Sequence, residues 1–197
     1  LFGFGQVVDN IRNEEISYDF TMKCAVEEDD QEAIKKLESV GPPEMGQYKG
    51  GFDGMMVQRR LLMKYGGYSR QPGKESYWNA MIVPMVKSRE YSFTDLIGLV
   101  LGYKRVLIKM WPDLCTTRFP ETCTKFDTRF YIFDGRLDMN TPSELVQEWY
   151  DMIEAPDKDL IWFENSGHNP MGDEPEKFKK LLREKALKVV AEENCRI

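Results

Sequence analysis

The chain has 197 residues, 42% of them hydrophobic, with 27 basic against 33 acidic side chains and a net charge of −6. That length supports one good core, or a domain with a subdomain, and the acidic balance argues against a phosphate-backbone partner, so no nucleic acid is expected. No apolar run reaches the roughly eighteen residues a spanning helix needs, so no membrane partner is expected either.

The opening run Leu1-Phe2-Gly3-Phe4-Gly5-Gln6-Val7-Val8 is apolar and β-prone, and it begins at Leu rather than Met. Residues 10–28 carry Ile16, Phe20 and Ala25 on a charged background, which suits an amphipathic helix. Asp29, with Glu32 three residues on, signals the start of a second helix running to Val40, stopped by Gly41-Pro42-Pro43. The glycine-rich residues 45–54 read as irregular. Residues 55–65 are helical in pattern, with Met56, Leu61, Leu62 and Met63, and Gly66-Gly67 ends them.

Residues 68–73 are looser and lead into 76–86, dense in large apolar side chains. Ser92-Phe93-Thr94-Asp95 is a capping box for a helix with Leu96, Leu99, Val100 and Val106 or Leu107 at helical spacing, closed by Trp111-Pro112. Residues 10–125 thus read as four to six helices without a strand, set between two strands. The four cysteines, Cys24, Cys115, Cys123 and Cys195, lack Cys-x-x-Cys spacing and have one histidine among them, which argues against structural zinc. Free thiols in a reducing, cytoplasmic compartment are expected, with a Cys115–Cys123 bridge as the alternative; no metal and no cofactor are expected.

After Cys123 the pattern changes to short aromatic and β-branched runs. Phe130-Tyr131-Ile132-Phe133 reads as a buried strand, and Asp134-Gly135-Arg136-Leu137-Asp138 as a turn. Thr141-Pro142-Ser143-Glu144 reads as a helix start with Thr141 as cap, and Leu145, Val146, Trp149 and Ile153 form the buried stripe of a helix over 142–154. Leu160-Ile161-Trp162-Phe163 is a second strand, followed by Ser166-Gly167-His168-Asn169-Pro170, which holds the single histidine. A last helix over 174–193 carries Phe178, Leu181, Leu182, Ala186, Val189 and Val190. Strand, helix, strand at this length is a βαβ unit, so the strands are parallel and both loops leave the same carboxyl edge, where open α/β sheets place ligands. Neighbouring strands lie roughly 4.8 Å apart, which lets Asp138 and His168 meet across thirty residues. An acid that orients an imidazole is two-thirds of a nucleophilic triad. Asp134, directly at the strand end, is the alternative acid.

Phe133-Asp134-Gly135-Arg136-Leu137-Asp138 with Pro142, and Ser166-Gly167-His168-Asn169-Pro170 with Glu174-Pro175 and Phe178, resemble the C-terminal third of an α/β-hydrolase, most closely the proline iminopeptidase-like branch. The first eight residues resemble the family strand that follows the nucleophile helix. The resemblance implies an α/β fold made of the C-terminal part of a hydrolase sheet, about three strands with one βαβ unit, and an inserted helical lid. Its divisions are a core strand over 1–9, a lid over 10–125 and the C-terminal βαβ-α portion over 126–197. It makes Asp138 the catalytic acid and His168 the general base.

The family order puts the nucleophilic serine upstream on a Gly-x-Ser-x-Gly elbow, and no such pentapeptide occurs here. The nearest string, Gly67-Tyr68-Ser69-Arg70-Gln71, lacks the second glycine and a preceding strand. The chain therefore reads as a fragment or processed piece of a serine hydrolase, aminopeptidase- or esterase-like, silent by itself. The alternative is a non-catalytic binding or assembly module on a hydrolase-derived scaffold. The expected partners are a small-molecule or short-peptide substrate, and the missing N-terminal half or a second copy to cover apolar helix faces that three strands cannot. Candidate wall residues for substrate are Met55, Met56, Tyr65, Tyr68, Tyr77, Trp78, Met81 and Trp111. The iminopeptidase branch holds substrate amines with lid acids, and Glu14, Glu15, Glu27 and Glu28 are available without a signal that selects one.

Overall fold

A computed structural model describes residues 1–76 and 78–194, without the side chains of Met81, Val100 and residues 190–194. Tyr77, Cys195 and the side chains of Met81, Val100 and Val190 therefore lie outside the described residues. Three parallel strands form the sheet in the order β1-β2-β3: β1 is Phe2–Phe4, β2 Phe130–Gly135 and β3 Lys158–Phe163. The α/β class with one βαβ unit, expected from the sequence, is the observed one. The crossover helix α7 is Ser143–Met152, two residues shorter at its C-terminal end than its apolar pattern suggested.

The all-apolar reading of Phe130 to Phe133 has a structural cause: β2 is buried on both faces, as central parallel strands are. Phe130 and Ile132 pack with Leu145, Val146, Trp149 and Ile153 on the α7 side. Tyr131 and Phe133 pack with Phe163 and Phe178 on the other, against helix α9 (Pro175–Asn194), which follows the short α8 (Pro170–Asp173). Strand alternation thus divides one tetrad of residues between two cores. Trp149, almost wholly buried, also donates from Nε1 to the Cys123 carbonyl at 2.8 Å.

Between β1 and β2 come α1 (Asn10–Glu27), α2 (Gln31–Val40), α3 (Phe52–Lys64), a π-helical turn over Trp78–Ile82, α4 (Val83–Lys87), α5 (Phe93–Leu114) and α6 (Phe119–Thr122). Helices α1 to α3 enclose their own core around Tyr18, Ala25, Leu37, Met55 and Leu61. Three local expectations change. The cap of α2 is Asp30, whose Oδ1 accepts from Ala33 N at 3.0 Å, whereas Asp29 takes a positive φ of 52° in the turn before it. Helix α3 starts three residues earlier than its Met-rich pattern. Helix α5 opens on the expected Ser92/Asp95 capping box but runs through Pro112 to Leu114. Proline there removes one helix hydrogen bond near the end, and Trp111 Nε1 holds that turn by donating to the Gly46 carbonyl at 3.0 Å.

The apolar stripe of α5 does not bury as its spacing implied: Leu99 and Val106 are exposed, and Leu96 and Leu107 are only half-buried. Cys24, Cys115 and Cys123 are free thiols, so the Cys115–Cys123 bridge is not formed. Among the described residues no helix is long and apolar enough to cross a membrane.

Candidate active site

The carboxyl ends of β2 and β3 are paired to the last residue, Gly135 against Phe163. Beyond them the two loops stay together. Arg136 N donates to the Phe163 carbonyl at 2.9 Å and Leu137 N to the Ser166 carbonyl at 3.0 Å. The approach is close enough that a Cβ on Gly135 would fall 1.9 Å from the Gly167 carbonyl oxygen, so only glycine fits. This backbone clasp delivers Asp138 on one loop and His168 on the other.

Asp138 is fully buried and fully partnered. Its Oδ1 accepts from Asn140 N at 2.8 Å and Thr141 N at 2.9 Å; its Oδ2 accepts from the Thr141 hydroxyl at 2.7 Å and lies 2.9 Å from His168 Nδ1. The Asx-type turn is therefore present in addition to the imidazole contact, and the same carboxylate serves both. Thr141 was expected to cap α7. Instead its hydroxyl sits between Asp138 and His168 Nδ1, 3.0 Å from the latter, and α7 has no side-chain cap. Asp134 makes no hydrogen bond to His168: it is fully buried and neither side-chain oxygen has a hydrogen-bond partner among the described residues. Burial, then the nearby Asp138 charge, pushes its carboxyl well above the usual range.

His168 is held from three further directions. Its backbone N–H donates to the Tyr68 carbonyl at 2.7 Å, and the Tyr68 ring lies 5.1 Å away, centroid to centroid, tilted by 52°. The Tyr68 hydroxyl is pushed up to about 12, by burial first and then by the Asp138 charge. Gly5, just after β1 with φ of 57°, lies under the ring; a Cβ there would stand 2.7 Å from His168 Cε1. Ser69 is committed elsewhere. Its buried hydroxyl donates to Asp173 Oδ1 at 2.6 Å while Asp173 Oδ2 accepts from Gly167 N at 3.1 Å, tying the segment after α3 to the histidine loop.

His168 and Thr141 open on a cavity of about 350 Å³ whose other walls come from α1, α3 and α5 with Val7, Tyr68 and Asn140. Of the proposed wall residues Met55, Tyr68 and Trp111 line it. Met56 lines a different cleft, Tyr65 packs within the helical core, and Trp78 is exposed. Among the acids Glu14 lines the cavity and is buried, while Glu15, Glu27 and Glu28 are exposed. Glu14 Oε1 accepts from the half-buried Arg59 guanidinium and from Asn13 Nδ2 at 3.2 Å. Glu14 Oε2 and Asn13 Oδ1 are buried and have no hydrogen-bond partner among the described residues. Unpaired buried acceptors cost about 1–3 kcal/mol each.

Thr141, Gly5, Asn13 and Arg59 were not singled out by the sequence. For Thr141 the signal was its position three residues after Asp138, where a hydroxyl can turn back onto the carboxylate; its role as a cap fitted the same string. Nothing in the order of residues ties Asn13 or Arg59 to the histidine.

No family model matches the chain. It is 24% identical over 103 residues to the probable aminopeptidase YbaC of Bacillus subtilis, an alignment covering 52% of this chain and 32% of YbaC. It is also similar to the crystal structure of MGS-MChE2, an alpha/beta hydrolase enzyme from the metagenome of sediments from the lagoon of Mar Chica, Morocco. There the TM-score is 0.39 at 24% identity, over 48% of this chain and 43% of that one. The chain spans about a third of the length of the curated relative it matches.

Proposed function

We propose that this chain carries the acid and the base of a serine α/β-hydrolase, Asp138 and His168, with residues 10–125 as the lid over its substrate. The observation that carries the reading is the 2.9 Å contact between a fully buried, four-times-bonded carboxylate and the imidazole Nδ1. A carboxylate at that position favours the tautomer with its proton on Nδ1, in which Nε2 is the base. In the reaction His168 Nε2 takes the proton of a serine hydroxyl as its oxygen attacks an ester or amide carbonyl, then returns it to the leaving group. Asp138 fixes the ring and stabilises the imidazolium.

The serine is proposed to lie on protein outside these 197 residues, on a further parallel strand paired to β1. That strand stands at an edge of the three-stranded sheet, with Leu1, Phe2 and Phe4 exposed beside it. An unpaired apolar edge of this kind is a template for another strand. The peptidase direction follows from the similarity to a probable aminopeptidase and from the branch the two motifs resemble.

The test is a fluorophosphonate probe on the natural protein in which this chain occurs, followed by mapping of the labelled peptide. Labelling of a serine outside residues 1–197, lost in His168→Ala, is the expected result. Absence of labelling favours the binding or assembly module instead.

A further inference from the structure

We propose that the helical segment carries a binding channel for an aliphatic monocarboxylate, a free fatty acid, between α3, α4 and α5. None of Asp138, Thr141 and His168 lines it, so the proposal stands apart from the hydrolase reading.

Two open clefts make the channel. One, of about 620 Å³, lies where α3 faces α4 and α5, with Met56 and Met85 in its walls. The other, of about 330 Å³, lies between α5 and the π-helical turn with α4. Ile82 and Leu99 line both, so the two spaces adjoin at these side chains. Each volume falls in the range of small-molecule pockets, roughly 300–1,000 Å³.

Polarity runs one way along the channel. The charged wall residues Asp53, Arg60 and Lys104 all belong to the first cleft, whereas every described wall residue of the second is hydrophobic. Trp78, Val86 and Leu101 of that second cleft are left exposed, and an apolar surface of this kind marks a binding site more often than it stays bare. A ligand with one polar end and a long apolar body matches this layout. A ligand polar at both ends does not.

Charge selects the head. Lys104 Nζ sits 5.2 Å from the Phe52 ring centroid and donates to both carboxylate oxygens of Asp53, at 2.8 Å and 3.0 Å. That pair neutralises itself, and it covers the aromatic face that a ligand cation would use. Arg60 is exposed and has no hydrogen bond or ion pair among the described residues, so its guanidinium is free to turn over the mouth of the first cleft. One uncompensated cation calls for one negative charge, and the planar guanidinium fork matches a carboxylate. A phosphate dianion would overbalance it beside Asp53.

The test is NMR on the chain with carbon-13 methionine methyls, the Met56 and Met85 signals being identified by Met56→Leu and Met85→Leu. Decanoate, hexanoate, decanol and decyltrimethylammonium are titrated separately, each below its own aggregation limit. Decanoate is expected to shift both methionine signals at concentrations roughly tenfold or more below those needed for hexanoate or the ammonium. Arg60→Gln is expected to weaken decanoate roughly tenfold, to the level of decanol, and to leave decanol unchanged. Equal or tighter binding of decyltrimethylammonium, or no response of the methionines to decanoate, overturns the assignment. So does a His168 imidazole signal that moves at lower decanoate concentration than the Met85 signal, which would put the ligand in the other cavity. If Arg60→Gln fails to fold, the four-ligand comparison on the unaltered chain decides.

Discussion

Oδ2 of Asp138 lies 2.9 Å from Nδ1 of His168, and the Thr141 hydroxyl touches both atoms, at 2.7 Å and 3.0 Å. One hydroxyl proton cannot serve two acceptors. It goes to the carboxylate, and the Thr141 oxygen is then free to share the Nδ1 proton with Asp138.

Thr141→Val keeps the shape and removes that hydroxyl. A buried carboxylate then loses one donor, which is expected to lower stability by about 1–3 kcal/mol. Urea unfolding measures it, with Thr141→Ser restoring most of the loss. An unchanged midpoint in the valine variant contradicts a structural role for the bond.

Gly5→Ala tests the third loop at this edge. A left-handed conformation costs an alanine about 1–2 kcal/mol, and the new methyl would stand 2.7 Å from His168 Cε1. The variant is expected to lose stability and to displace the His168 NMR signals. Unaltered imidazole signals would mean that the ring does not rest on Gly5.

Much of this site was legible because strand spacing converts a long sequence separation into a short spatial one. The apolar runs at Phe130 and Leu160 identified two neighbouring strands, and the loops beyond them held one acid and one histidine. The limits are equally physical. Thr141-Pro142 reads as a helix start because a threonine before a proline does cap helices, yet the hydroxyl is better used on a buried charge. Pro112 reads as a stop because its cost is local, whereas the Trp111 bond to Gly46 is tertiary. Glu14 could not be told from Glu15 on the chain, since only the meeting of α1 with α3 buries one and exposes the other.

Asp134 gives a pH dependence with a definite sign. Its carboxyl titrates above the ordinary range because it is buried and close to Asp138. The folded chain therefore keeps a proton that the unfolded chain releases, and the stability this contributes is complete below an ordinary value of about 3.9. It is lost as pH rises through the raised folded value. Asp134→Asn removes the titration, so the stability of the unaltered chain relative to this variant is expected to fall as pH rises. Urea unfolding of both at several pH values measures the difference; a difference that rises with pH contradicts the assignment.

The central claim is that Asp138 holds His168 through Nδ1 so that Nε2 is the base. Nitrogen-15 NMR of the single histidine tests it in the chain itself. With the imidazole neutral, the account predicts the Nδ1–H tautomer, and in Asp138→Asn a shift toward Nε2–H because the amide can donate to Nδ1. A predominant Nε2–H tautomer in the unaltered chain, or a spectrum indifferent to the Asp138 substitution, would contradict it.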